Sequence, residues 1–155
     1  NGHIVDDYFV SVRPDVAMVL PITPQQEVVM VRQYRHGAEE ILLELPAGTF
    51  APSQEEAAIA ARRELTEETG YRAQQLEHLA TLYDNPVKET NRIHLFLARD
   101  VQQTSQQQLD ITEDIEIVTV PLDHIESYIQ TGKIQVAGTL SALYLGLLRL
   151  KSQVQ

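Results

Sequence analysis

The chain has no cysteine and no tryptophan. Without cysteine there is no disulfide framework, no thiolate nucleophile and no thiolate zinc site. This fits a reducing cytoplasm, and a cytoplasmic location is the expectation. Basic residues are scarce: 12 Lys and Arg stand against 22 Asp and Glu, for a formal net charge of -10. A duplex nucleic-acid binder needs a basic face to neutralise phosphates, so that class is disfavoured. A small phosphorylated ligand is not, because bound metal ions invert the local field. Long apolar runs are also missing. The stretch Leu140 to Leu150 is too short to span a bilayer and carries Ser141, Gly146 and Arg149. At 155 residues the chain is sized for one domain with a sizeable core.

What is present is a concentration of acid. Residues 63 to 71 read Arg-Glu-Leu-Thr-Glu-Glu-Thr-Gly-Tyr, and Glu55 precedes them. Glu64, Glu67 and Glu68 have i, i+3, i+4 spacing and share one face of a helix. Like charges so placed work against the helix by roughly 0.2–0.5 kcal/mol per pair. A stripe of oxygen ligands is what a hard divalent cation requires. The surrounding helix has good formers, a Ser53-to-Glu56 capping-box pattern and Gly70 at its end. Ala57, Ala58, Ala61, Leu65 and Ile59 are its expected buried side.

Strand patterns appear at Tyr8 to Arg13, Val16 to Ile22, Glu27 to Tyr34, Ile41 to Leu45, Leu76 to Tyr83, Arg92 to Ala98 and Ile115 to Val120. Ala47-Gly48 is expected to open a loop running to Pro52. The Gln/Ser/Thr-rich stretch from Val101 to Leu109 is a loop or a weak edge strand. Asp123 to Gln130 fits a short helix, and Thr139 is placed to cap a last helix reaching about Lys151. The order predicts an α/β (α+β) fold, a mixed sheet flanked by helices.

Gly48, Glu55 and the Arg63-to-Tyr71 run together resemble the signature of the Nudix hydrolases, with one residue more than usual between Gly48 and Glu55. The resemblance covers nearly the whole chain. Val31 to Arg35, Glu44 to Gly48 and Pro86 are similar to the branch that hydrolyses ADP-ribose and related nucleotide sugars. Val87 and Asn91 depart from that branch. The resemblance implies a Nudix-type mixed sheet sandwiched between helices, Mg²⁺ as cofactor with Mn²⁺ as a substitute, and a small nucleotide substrate. It also implies a homodimer in which residues 1–13 form an N-terminal strand.

By the same resemblance Glu64, Glu67, Glu68 and the Ala47 carbonyl oxygen hold metal. Arg63 is expected to steady a ligand carboxylate, and Glu55 to be an accessory acid. Glu113 aligns best with the base, with Asp110 and Asp114 as competitors and Glu116 on the outer face of a strand. Arg32, Arg35 and Glu44 suit the nucleotide end, where ordinary surface ion pairs are the alternative. Tyr34 and Tyr83 suit base stacking or core packing, and His94 is expected to be structural. Other nucleotide substrates (GDP-mannose, a dinucleoside polyphosphate, an oxidised nucleoside triphosphate) stay open, as does a sensing module without catalysis. Such a module would be expected to lose part of the acidic stripe.

Overall fold

The computed structural model describes residues 2–152. The expected domain of residues 1–155 extends past both limits, so residue 1 of the N-terminal strand and residues 153–155 lie outside the described residues. In chain order the elements are β1 (Asp15–Ile22), β2 (Glu27–Arg35), β3 (Glu40–Glu44), β4 (Ala47–Phe50), α1 (Ala57–Thr69), β5 (Tyr71–Arg72), β6 (Glu77–Tyr83), β7 (Arg92–Arg99), β8 (Gln102–Gln103) and β9 (Ile115–Pro121). A 3₁₀ turn (Leu122–His124), α2 (Ile125–Gln130) and α3 (Ala137–Lys151) follow.

Seven strands form one mixed sheet. Its main path is β3-β2-β1-β7-β6, with β4 added to β1 and β9 to β2. The β1–β7 pair is parallel and the other pairs are antiparallel. β1 and β2 pair only at Ile22 with Val28, then diverge. From there β1 takes β4 as partner along Asp15–Met18, while β2 takes β3 and β9. The sheet therefore splays.

Side chains alternate across a strand, so each strand serves two cores. Met18, Leu20, Val28, Met30, Leu95 and Leu97 face α2 and α3. Ala17, Val19, Val29, Phe96 and Ala98 face α1. Both faces of the central strands are buried, which is why Val16 to Ile22 is an unbroken apolar run. Fully burying one such Leu or Val contributes about 1.5–3 kcal/mol. The sheet lies between helices, as the sequence pattern predicts. Among the described residues no helix is long and apolar enough to cross a membrane.

Several local expectations need correction. α1 starts at Ala57 with Glu56 as N-cap and no side-chain cap bond. Ser53 instead lies in a turn whose Gln54 and Glu55 amides both donate to the Ala51 carbonyl, at 2.9 and 3.0 Å. Ile59 faces solvent, and Ala60 takes its expected place in the core. Ala47–Phe50 is a strand rather than a loop, because β1 supplies its backbone partners. Tyr8–Arg13 makes only one bridge, Ser11 with Glu89. No sheet face receives its side chains, and Phe9 and Val12 stay 81% and 86% exposed.

Thr139 does not cap α3, which begins two residues earlier with Val136 as N-cap. It is fully buried inside the helix, and its Oγ1 accepts the Leu45 N–H at 3.2 Å. That bond spans the sheet-to-helix interface at the β3–β4 joint, where the Pro46 carbonyl also accepts from Val19 N–H at 3.0 Å. The joint sets where Ala47 and Gly48 lie. Thr139→Val keeps the shape and leaves the buried Leu45 amide unsatisfied, so it should lose about 1–3 kcal/mol of stability in urea unfolding. An unchanged midpoint would show that the joint is held without this bond.

Candidate active site

α1 presents Glu64, Glu67 and Glu68 on one side, and β4 runs against that side. Glu64 and Glu68 are buried, at 9% and 4% exposure. Gly48 makes this closeness possible: a Cβ there would stand 2.0 Å from the Glu64 carboxyl carbon. The neighbouring Ala47 amide donates to Glu68 Oε2 at 3.0 Å. Gly70 ends the helix with φ of 71°, a left-handed conformation that costs glycine little, and its N–H donates to Thr66 O at 2.8 Å.

Arg63 holds three acids at once. Its Nε and one terminal nitrogen donate to the two Glu55 oxygens at 3.2 and 3.1 Å. Its other terminal nitrogen donates to Glu64 Oε1 at 2.6 Å and Glu67 Oε2 at 3.0 Å. The bidentate pair with Glu55 closes the loop in front of α1. The additional residue between Gly48 and Glu55 leaves the Glu55 carboxylate aimed at this arginine.

Burial sets the electrostatics. Desolvation pushes the Glu68 carboxyl up to about 8; the charges of Glu64 and Glu113 add to this, while the Ala47 amide and Arg35 oppose it. Burial also raises Glu64, and the Arg63 hydrogen bond offsets only part of the rise. Arg63 is held more firmly protonated than usual, first through its bonds to Glu55 and then through Glu64 and Glu67. Buried carboxylates raised in this way call for positive charge.

These groups open into a cleft of about 510 Å³. Arg35, Gly48, Glu64, Glu67, Glu68 and Glu113 line it, together with Gln33, Thr49, Gln108 and Asp110. Asp114 is not in the lining. Glu113 and Asp110 belong to one turn: the Glu113 N–H donates to Asp110 O at 2.9 Å, and Glu113 Oε2 accepts the Asp110 N–H at 2.9 Å. A more apolar depression of about 590 Å³ lies at Ile22, Leu122, Leu147 and Leu150, without a converging set of acids.

The expected ligand set does not stand ready-made. Among the described residues no three His, Asp or Glu side chains gather in metal-holding geometry. The reason is visible in the pairing: Arg63 draws Glu64 and Glu67 to itself, and Glu68 is turned onto the Ala47 amide. The amide of Ala47, not its carbonyl, makes the contact to the acids. The donor chemistry still fits a hard dication, since the available atoms are all oxygens and two of the carboxylates are buried with raised proton affinity.

The residues expected at the nucleotide end divide. Arg35 reaches the cleft and forms a two-point pair with buried Glu44, at 2.6 and 3.1 Å. Burial works against the Arg35 charge, and Glu44, Glu68 and Glu113 more than offset it, so its pKa is raised. Arg32 lies three positions earlier on the same strand and so faces the other side of the sheet. There it pairs with exposed Glu116 at 3.0 Å. Pro86 sits in an exposed turn outside the cleft lining. Tyr34 and Tyr83 are exposed, and the Arg92 guanidinium lies 5.4 Å from the Tyr83 ring centre.

His94 is away from the cleft. It bridges Asp15 Oδ2 at 2.9 Å and Thr81 Oγ1 at 3.2 Å, with Phe50 against its ring. Burial would raise the Asp15 carboxyl, but the bonds from His94 and the Arg92 amide bring it below its usual range. Gln33, Thr49 and Gln108 are cleft residues absent from the sequence expectations. Period-2 alternation from Arg35 marks Gln33, whereas nothing in the polar run around Gln108 marks it.

The chain matches a known domain family and several known proteins. The NUDIX domain family model matches residues 12–137. The chain is 32% identical to the ADP-ribose pyrophosphatase of Bacillus subtilis, over 92% of this chain and 76% of that protein. It is 34% identical to the methanol dehydrogenase activator of Bacillus methanolicus, over 84% of this chain and 70% of that one. It is 35% identical to the GDP-mannose pyrophosphatase of Citrobacter koseri, over 77% and 65%. A crystal structure of an ADP compounds hydrolase superposes with a TM-score of 0.80 at 29% identity, covering 90% of this chain and 74% of that one. A family model that matches most of the chain, and relatives at 32% and 34% identity, show that the chain belongs to the NUDIX domain family.

Proposed function

We propose that this Nudix hydrolase cleaves the pyrophosphate of ADP-ribose or a related nucleotide sugar, giving a nucleoside monophosphate and a sugar phosphate. The observation that carries the proposal is the pair of buried carboxylates, Glu64 and Glu68, packed beside Gly48 in a cleft that also holds Arg35 and Glu113. Nudix hydrolases use a divalent metal, and we assign Mg²⁺, with Mn²⁺ as a substitute. When bound, it neutralises the pyrophosphate and lowers the pKa of a water. Glu64, Glu67, Glu68 and the Ala47 carbonyl would hold it, with Arg63 and Glu55 steadying the acids.

Glu113 acts as the base. It takes a proton from the attacking water as the new O–P bond forms and the bridging P–O bond breaks. Its place in the cleft lining supports this choice; Asp110 shares the lining and Asp114 does not. Arg35, held by Glu44, suits a phosphate or ribose contact. The described residues 2–152 read as a single domain, and the exposed apolar side chains of Ile4, Val5, Phe9 and Val12 support a homodimer through the N-terminal segment. The cysteine-free composition supports a cytoplasmic enzyme.

With magnesium and a panel of ADP-ribose, GDP-mannose, a dinucleoside polyphosphate and an oxidised nucleoside triphosphate, ADP-ribose should turn over fastest. Phosphate released by an added phosphatase measures this. Glu67→Gln should lower turnover on the order of 10–100-fold or more while the protein stays folded. No hydrolysis of any member at high enzyme concentration would favour the sensing module instead.

The Glu68 carboxyl also makes a prediction about stability. It titrates near 4.3 in an unfolded chain and at about 8 in the fold. Between those values the folded state binds the extra proton, so this contribution is full below the lower pKa and is lost as pH rises through the upper one. Without metal, wild type should therefore lose urea stability relative to Glu68→Gln between pH 5 and 8.5, and magnesium should narrow the gap. Parallel curves for the two proteins would remove the burial penalty assigned to Glu68.

A further inference from the structure

The loop between β8 and β9 carries Glu113, and it is fastened to the end of α1. The last carbonyls of a helix have no partner within it. Here the loop supplies them. Gly70 O accepts from the Thr104 and Ser105 amides at 3.0 and 3.2 Å, and Glu67 O accepts from the Gln108 amide at 2.8 Å. A Cβ on Gly70 would stand 2.1 Å from Ser105 O, so the contact is also tight. These bonds come from main-chain amides and ask nothing of the side chains.

Gln107 is different. Its Nε2 donates to Glu68 O at 2.6 Å and to Ile115 O at 3.0 Å. A side-chain amide has two N–H donors, and here both are spent on carbonyl oxygens. The reverse orientation would set the Gln107 oxygen against two acceptors, so the assignment of the amide is determined by its surroundings. One bond ends on the residue that carries the most deeply buried carboxylate of the stripe. The other ends at the first residue of β9, two positions after Glu113. Gln107 itself does not line the cleft.

We propose that Gln107 is a positioning residue: its amide spans Glu68 and Ile115 and thereby sets the reach of Glu113 into the cleft. This rests on Glu113 as the base. An acid on a polar loop gains little from proximity unless the loop is held, and a misplacement of about 1 Å lowers rate on the order of 100-fold.

Gln107→Met keeps the length and removes both donors; Gln107→Asn keeps the amide but is too short to span both carbonyls. Each should lower kcat about 10–100-fold on the best substrate of the panel with magnesium, with KM changed less than about threefold. Amide hydrogen exchange across residues 108–116 should quicken in both. In a Glu113→Gln background, Gln107→Met should cause little further loss, because the group it positions is already gone. An unchanged kcat, an equal fold-loss with and without Glu113, or unchanged exchange in the folded variants would each overturn the proposal. If Gln107→Met does not fold, Gln107→Asn decides by the same measures. Full activity in Glu113→Gln alone would remove the base assignment and with it the catalytic part of the proposal. The exchange rates would still decide whether Gln107 holds the loop.

Discussion

Two carboxylates buried one helical turn apart repel each other and lose their water, and much of the local structure answers that strain. Glu64 and Glu68 stand in this position on α1. Three features contain the penalty. The Ala47 amide donates to Glu68, Arg63 donates to Glu64, and Gly48 leaves room for the Glu64 carboxylate where any side chain would collide. The relief is incomplete, since both groups remain raised above the ordinary carboxylate range. A fold selected for stability alone would place apolar side chains there. Retaining the acids makes sense for a site that receives positive charge.

The scaffold explains why the acids meet β4 at all. β1 and β2 separate after a single paired position, and β1 then takes β4 as its partner. That places Ala47 and Gly48 between the sheet and α1. On the opposite face, Thr139 in α3 fixes the Leu45 amide at the β3–β4 joint. A helix on one side of the sheet thus helps to locate a strand used on the other.

Much of this was legible in residue order, for definable reasons. α1 and its stripe show in 3.6-residue periodicity, and β1, β2, β7 and β9 show in their β-branched or alternating runs. What was hidden depends on partners distant in sequence. Ala47–Phe50 has little strand character of its own and becomes a strand through β1. Tyr8–Arg13 has the pattern of a strand but no sheet to receive it. Ser53 and Thr139 look like caps, yet a turn claims one region and a buried amide claims the other. Arg32 and Arg35 look alike in composition, but an odd separation on a strand sends them to opposite faces; period 2 alone was enough to separate them. The threefold clasp of Arg63 required loop geometry that no local rule contains.

In the proposed function, Arg63 and a divalent cation would compete for the same oxygens, those of Glu64 and Glu67. In the clasped arrangement the guanidinium satisfies Glu55, Glu64 and Glu67, and only Glu68 among the stripe is left without a cationic partner in bonding contact. In the proposed function a dication, with twice the charge and more oxygen ligands at shorter range, would draw on Glu64 and Glu67, and the bidentate pair with Glu55 would still anchor the arginine. The clasp keeps the three acids ordered and mutually screened. The bidentate pair also accounts for the position of Glu55, which anchors the arginine from the loop in front of α1.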